Sequence, residues 1–251
     1  MKNSYKCLML LLIIQLFFSF SSVKAKEASF NFNFSTGYDG WIGDFADYFV
    51  GQEAFFELAW GWSNIPQRLP VEEQLKGMFL SGNNHSDDLV MFIKRQLEGL
   101  KPNTTYDLTF FVTIQDNIPP GQFGIGGSPG ESVYVKVGGS KKQPVKVAEG
   151  PIYRLNVDIG FQSNGGKNAI VVGNLANPLV NPDDPQYEPK SLTNEIPLRV
   201  KTDQKGRLWV FVGTDSAFEG STLYYISNIS VIAKRAHQGH LCKCGEVENK
   251  F

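Results

Sequence analysis

The sequence predicts an all-β fold, a sandwich or barrel in a single domain, and three observations carry that expectation. Apolar residues alternate with polar ones in many short runs. Gly, Pro, Asn and Asp fill almost every gap between the runs, and no stretch keeps a helical period through three capped turns. Aromatic residues make up 13% of the chain and glycines number 25, a composition of strands and tight turns rather than of disorder.

Residues 1–25 read as a cleaved signal peptide. Lys2 and Lys6 supply a positive start, 7–20 an apolar run, and Val23 and Ala25 the small residues that a signal peptidase needs before its cut. The run is shorter than the about 20 residues of a membrane span, and no cysteine stands at the cleavage point to take a lipid. The expectation is a secreted or periplasmic protein with no membrane span, a sandwich domain over 26–233 and a polar tail over 234–251.

Within the domain, Phe30, Phe32 and Phe34 share one face of a first strand. Further strands are expected at 55–60, 77–81, 89–95, 105–115, 132–137, 145–148, 153–159, 169–173, 196–202, 207–213 and 222–233. Pro178, Pro182, Pro185 and Pro189 make 176–190 a surface loop, and 118–130 is a second loop rich in Gly and Pro. The only helical candidate, 71–77, is too short to matter. Trp209, between Leu208 and Val210, is expected in the core.

Charge and cysteine usage narrow the function classes. The net charge is −1, and Lys2, Lys6 and Lys24 belong to the leader, so the domain lacks the basic balance of a nucleic-acid binder. Cys7 lies in the leader and Cys242 and Cys244 in the tail, so packing and not disulfides must hold the domain.

Three segments carry a resemblance. Gly99-Leu-Lys-Pro-Asn-Thr-Thr-Tyr-Asp-Leu-Thr-Phe-Phe-Val112 resembles the turn and strand of galactose-binding-like jelly rolls, many of them carbohydrate-binding modules. Phe32-Asn-Phe-Ser-Thr-Gly-Tyr-Asp-Gly-Trp41 resembles their first strand, and Leu223-Tyr-Tyr-Ile-Ser-Asn-Ile-Ser-Val231 their last. The resemblance implies a jelly-roll β-sandwich in which Leu100 and Tyr106 pack inward, Pro102-Asn103 make a turn, and the last strand pairs near the first. It also implies a structural calcium held near the last strand, but Ser227 stands where the family has an acid. The runs 81–88 and 213–220 resemble a group of secreted bacterial proteins, a likeness that carries no chemistry.

Several clusters are candidates for function. Tyr38, Trp41, Tyr48, Trp60 and Trp62 could stack on sugar rings, and Trp60 and Trp62 share strand parity; core packing is the alternative. Asp39, Asp44 and Asp47 beside Gly37, Gly40 and Gly43, with Asp215 and Glu219 on a second Gly-flanked loop, are candidate calcium ligands or simple turn formers. His85 with Asp87 or Asp88 could act as a general base, against an Asx-rich turn before the next strand. Glu131 and Glu219 are the acids to test for glycoside hydrolysis. The loop 121–130 lacks the Lys-Ser/Thr ending of a phosphate cradle. In the tail, His237, His240, Cys242 and Cys244 offer nitrogen and sulfur to zinc or copper(I), although oxidation of the two thiols is the alternative. Asn33, Asn84, Asn103 and Asn228 lie in Asn-x-Ser/Thr sequons.

The leading expectation is a secreted protein that recognises an extracellular carbohydrate or glycoconjugate through loop residues. The alternatives are a jelly-roll enzyme, either a polysaccharide lyase or a glycoside hydrolase, and an envelope-associated domain that binds a protein partner. Calcium is the one cofactor the sequence suggests for the domain.

Overall fold

A computed structural model describes residues 27–236; the leader and the His/Cys tail candidates lie outside the described residues. The first half of the chain supplies β1 (Glu27–Phe32), β2 (Ile42–Ala46), β3 (Tyr48–Phe49), β4 (Ala59–Asn64), β5 (Lys76–Asn83), β6 (Leu89–Leu97) and β7 (Thr105–Asp116). The second half supplies β8 (Val133–Ser140), β9 (Lys146–Glu149), β10 (Ile152–Leu155) and β11 (Ala169–Asn174). It ends with β12 (Glu188–Thr193), β13 (Leu198–Lys201), β14 (Leu208–Ser216) and β15 (Ser221–Arg235). The all-β jelly-roll sandwich that the sequence predicts is the fold observed; one 3-10 turn at Val71–Glu73 is the helical candidate's remnant.

One sheet runs β12-β7-β15-β5-β4, with β13 extending β12's side of β7 and β1 pairing β15 beyond β5. The facing sheet runs β11-β8-β14-β6-β2. Every ladder in both is antiparallel. The last strand pairs with the first in register from Glu27 opposite Lys234 to Phe32 opposite Ile229. Between the sheets lies the main core, where Phe32, Leu80, Phe110, Val212 and Tyr224 are buried. Burial in β15 falls on Tyr224 and Ile226, then on Ile229, Val231 and Ala233. The parity changes because a bulge between Ile226 and Asn228 inserts an extra residue. Leu100 and Tyr106 pack inward and Asn103 adopts φ of 50°, as the resemblance implies. The Tyr106 hydroxyl closes that corner by accepting the Lys101 amide at 3.0 Å.

Four elements depart from the expectation. The strand expected at 55–60 begins only at Ala59 and runs on to Asn64, because 53–57 is a turn with Glu57 at φ of 52°. The acidic Gly-rich stretch around Asp44 is not one loop, because β2 runs through it. The Pro-rich segment ends in β12, an edge strand, where Pro189 needs to donate no ladder hydrogen bond on its open side. Asn194 joins β12 to β13 by replacing backbone in the β7 ladder: its Oδ1 accepts the Phe110 amide at 2.7 Å and its Nδ2 donates to Leu108 O at 3.0 Å. Trp209 is the fourth, lying half-buried on the outer face of its sheet while Leu208 and Val210 take the core.

A strap from Lys141 to Asn168 covers that outer face. It carries β9 and β10, which join β3 in a small third sheet. Val157 and Ile159 of the strap pack on Val90, Phe92, Ala169 and Phe211 to make a second core. Phe211 lies across Gly138, where an added Cβ would fall 1.9 Å from the ring. Gly138→Ala is therefore expected to cost about 1–3 kcal/mol through overpacking. A chemical melt would show a lower midpoint at unchanged slope; an unchanged midpoint would mean that Phe211 moves aside freely.

Asp116, at the end of β7, is fully buried, and its Oδ2 has no hydrogen-bond partner. Burial pushes its pKa up to about 7, against the amide of Ile118 and the charge of Lys190, which pull it down. The folded protein thus keeps a proton that the unfolded chain loses near pH 4. The stability this group contributes is complete below about pH 4 and is lost as pH rises through about 7. Asp116→Asn should therefore gain on the parent between pH 5 and pH 8 by on the order of 3 kcal/mol, in paired thermal melts. Equal differences at both pH values would show that the carboxyl is ionised throughout.

Candidate functional site

The open side of the sandwich, between edge strands β2 and β4, holds a cleft of about 440 Å³. Three other cavities are smaller: about 10 Å³ beside Lys136 and Asp215, about 60 Å³ beside Arg154 and about 150 Å³ beside Leu100. Of these four, all among the described residues, the first alone reaches the size of a small-molecule site.

Register creates this cleft. Trp60 pairs with Leu80 and Trp62 with Met78, both core residues, so the two tryptophans take the inward side of β4. At an edge strand that side faces across to β2. There the Trp60 ring lies directly on Gly43, where a Cβ would meet Trp60 Cγ at 2.2 Å. The ring is 37% exposed and forms one wall of the cleft. Tyr38, also exposed, meets Trp60 edge to face at 5.9 Å and Trp62 at 6.5 Å. Trp62 is fixed by donating Nε1 to Phe34 O at 2.7 Å and lies under Lys76.

The opposite wall is polar. The Tyr48 ring is buried between Phe56 and Tyr153, while its hydroxyl donates to Glu53 Oε1 at 3.2 Å and accepts from Lys146 Nζ. Lys146 also pairs with Glu53 at 3.5 Å and lies over the Tyr153 ring. Burial raises the Tyr48 pKa, although the nearby ammonium works against it. For Lys146, burial is the largest influence and pulls the pKa down. The Tyr48 hydroxyl and the carboxylates together outweigh it, so the net shift is upward. Backbone hydrogen bonding holds Glu53 below its ordinary range. Asp44 lines the same cleft and pairs with Lys94 at 2.7 Å. The site can therefore stack an apolar ring face and exchange hydrogen bonds with hydroxyls.

The five aromatic residues singled out by sequence separate. Tyr38, Trp60 and Trp62 come together at the surface, and Tyr48 offers only its hydroxyl. Trp41 is taken into the core, edge to face on Phe32 and Phe34, and presents no ring to a ligand.

The candidate calcium acids are dispersed, and cations meet most of them. Asp39 faces Arg95 at 3.6 Å, Asp47 meets Arg154 at 2.8 Å and Asp215 meets Lys136 at 2.7 Å. Asp39 and Asp47 hold positive φ, as turn residues do. Among the described residues, no three His, Cys, Asp or Glu side chains gather where a metal could sit.

His85 stacks on Phe55 at 4.1 Å, and Asp88 turns away from it to accept from Arg154 at 2.9 Å. Burial, followed by the charges of Asp47 and Asp215, pushes Asp88 up to about 8. Glu131 braces the loop 121–130 through its carboxylate and Glu219 through its backbone. Glu131 accepts the Gly121 amide at 2.8 Å and the Ser128 hydroxyl, and Glu219 forms a bridge with Ile125. The residues that sequence reasoning missed are Glu53, Lys94 and Lys146, and Gly43 was read only as a neighbour of the acids, not as the floor under Trp60. An isolated lysine or glutamate in a strand or turn carries no local signal of its partner.

Among the described residues, no helix is long and apolar enough to cross a membrane. No family model matches the sequence, and no curated protein sequence does. Several solved structures are similar to the chain at low identity. The K1 cleaved adhesin domain of Lys-gingipain from Porphyromonas gingivalis W83 is 12% identical, covering 84% of this chain and 99% of that one, with a TM-score of 0.40. TmCBM61, solved in complex with β-1,4-galactotriose, is 10% identical over 81% of this chain and 94% of its own, with a TM-score of 0.37. The mannan-recognising carbohydrate-binding module TmCBM27 is 12% identical over 84% of this chain and 100% of its own, with a TM-score of 0.36.

Proposed function

We propose that the protein is an exported carbohydrate-binding domain that holds a glycan in the cleft between β2 and β4. The observation that supports this most is Trp60, an exposed ring fixed by close contact with Gly43 and flanked by Tyr38. A pyranose ring presents a face of C–H groups that packs on such a ring, while its hydroxyls reach groups beside it. Here those groups are the Lys146 ammonium and the Glu53 and Asp44 carboxylates. Binding without turnover suits the site, because neither Glu131 nor Glu219, the acids considered for hydrolysis, lines this cleft: the Glu131 carboxylate is engaged with the loop 121–130, and Glu219 meets that loop through its backbone.

The test is affinity electrophoresis of the purified protein in gels containing soluble polysaccharides, with new reducing ends and unsaturated ends assayed in parallel. Retardation without new ends is the expected result. New ends would replace the binding reading with an enzymatic one, and mobility unchanged in every gel would remove the carbohydrate reading.

A further inference from the structure

The cleft's ionic groups cancel in pairs. Asp44 is neutralised from below by Lys94, whose side chain is only 5% exposed. Glu53 and Lys146 form the other pair and face the ligand, with side chains 46% and 30% exposed. Lys146 is additionally held by the Tyr48 hydroxyl, which itself donates to Glu53. Beside the aromatic platform, Asp39 answers Arg95 in the same way. The ammonium that an anionic ligand would need is therefore already neutralised, and a carboxylate approaching it must lie against Glu53. A hydroxyl meets no such conflict: it can donate to a Glu53 oxygen and accept from Lys146 without separating the pair.

We infer that the cleft selects neutral saccharides over uronic-acid polymers, and that Glu53 is the residue that sets this selectivity by occupying Lys146. This rests on the carbohydrate reading above. Glu53 sits in a surface turn with its side chain 46% exposed, and a glutamine there keeps an oxygen to accept the Tyr48 hydroxyl, so the core beneath is not emptied. Converting it to the neutral amide keeps its size, frees one positive charge in the cleft and removes the like charge that opposes a uronate.

The measurement is affinity electrophoresis at low salt, with polygalacturonate and alginate as anionic probes and xylan, mannan, galactan and β-glucan as neutral ones. The parent protein should be retarded by at least one neutral polymer and by neither anionic one. Glu53→Gln should gain retardation by an anionic polymer, at least fivefold in apparent affinity, and lose that gain in 0.5 M salt because the new attraction is screened. Parent protein retarded as strongly by polygalacturonate or alginate as by neutral polymers would overturn the inference and keep the carbohydrate reading. So would a Glu53→Gln variant, folded by circular dichroism, with no gain on either anionic probe. No retardation by any probe, for either protein, would remove the carbohydrate reading itself.

Discussion

Trp60→Ala should abolish retardation by whichever polysaccharide the parent protein binds, with a loss of at least tenfold in affinity, or about 1.4 kcal/mol. The size follows from the ring's position. Trp60 supplies the apolar wall of the cleft, and an aromatic platform contributes through area that no neighbouring side chain can replace. The same loss should follow from Gly43→Ala without touching the tryptophan, because the new Cβ would sit 2.2 Å from the Trp60 ring and push it out of place. Two variants on different strands then converge on one phenotype. Phe161→Ala is the control: this ring is 54% exposed on the strap and lines no part of the cleft, so its removal should leave binding intact. Equal retardation of the parent and the Trp60 and Gly43 variants would place the glycan elsewhere on the molecule.

The sequence made the tryptophans readable and left their setting hidden. Period-2 alternation put Phe30 and Phe32 on one face of β1 and gave Trp60 and Trp62 a shared side of β4, and both hold because strand geometry leaves no other option; Phe34, assigned to the same face, is buried too, but beyond the strand's end at φ of 51°. Alternation cannot say whether a strand lies at an edge. That single fact turns an inward-facing Trp60 into the wall of a cleft. The short β2 and β3 went unread because Asp47, at φ of 60°, breaks them with a turn, and turn residues dominate the local pattern. β12 was hidden for the opposite reason: its proline reads as a breaker, yet an open edge tolerates it. Charge pairing was the least legible feature. Lys146 finds Glu53, Lys94 finds Asp44 and Lys136 finds Asp215 across separate elements, and single-sequence spacing holds no record of such meetings. This is also why the acids near Asp44 suggested calcium: the cations that answer them come from distant parts of the chain.

Lys136→Met should be the most destabilising single change outside the main core, costing about 3–5 kcal/mol. Lys136 and Asp215 lie on adjacent strands of the second sheet, on the face that the strap covers, with side chains only 4% and 2% exposed. Three acceptors share the ammonium: Asp215 Oδ2 at 2.7 Å, and the strap carbonyls of Ile159 at 3.0 Å and Asn164 at 3.1 Å. The same Asp215 oxygen accepts the strap's Gln162 amide at 2.9 Å. One buried pair thus pins the strap to the sheet through main-chain groups, which explains why a polar segment stays closed over Phe92 and Phe211. Methionine fills the lysine's volume but strands a buried carboxylate and two carbonyls, and that residue, not the lost attraction alone, sets the cost. For a domain of this size the loss corresponds to a fall of roughly 10 °C in Tm. Lys136→Met with Asp215→Leu should recover part of it by removing the stranded charge, a coupling that a double-mutant cycle measures directly. Amide exchange should quicken across 159–164 in the single variant, because those groups lose their anchor. A Tm within 2 °C of the parent, with exchange in the strap unchanged, would show that apolar packing of Val157 and Ile159 holds the strap without the ion pair.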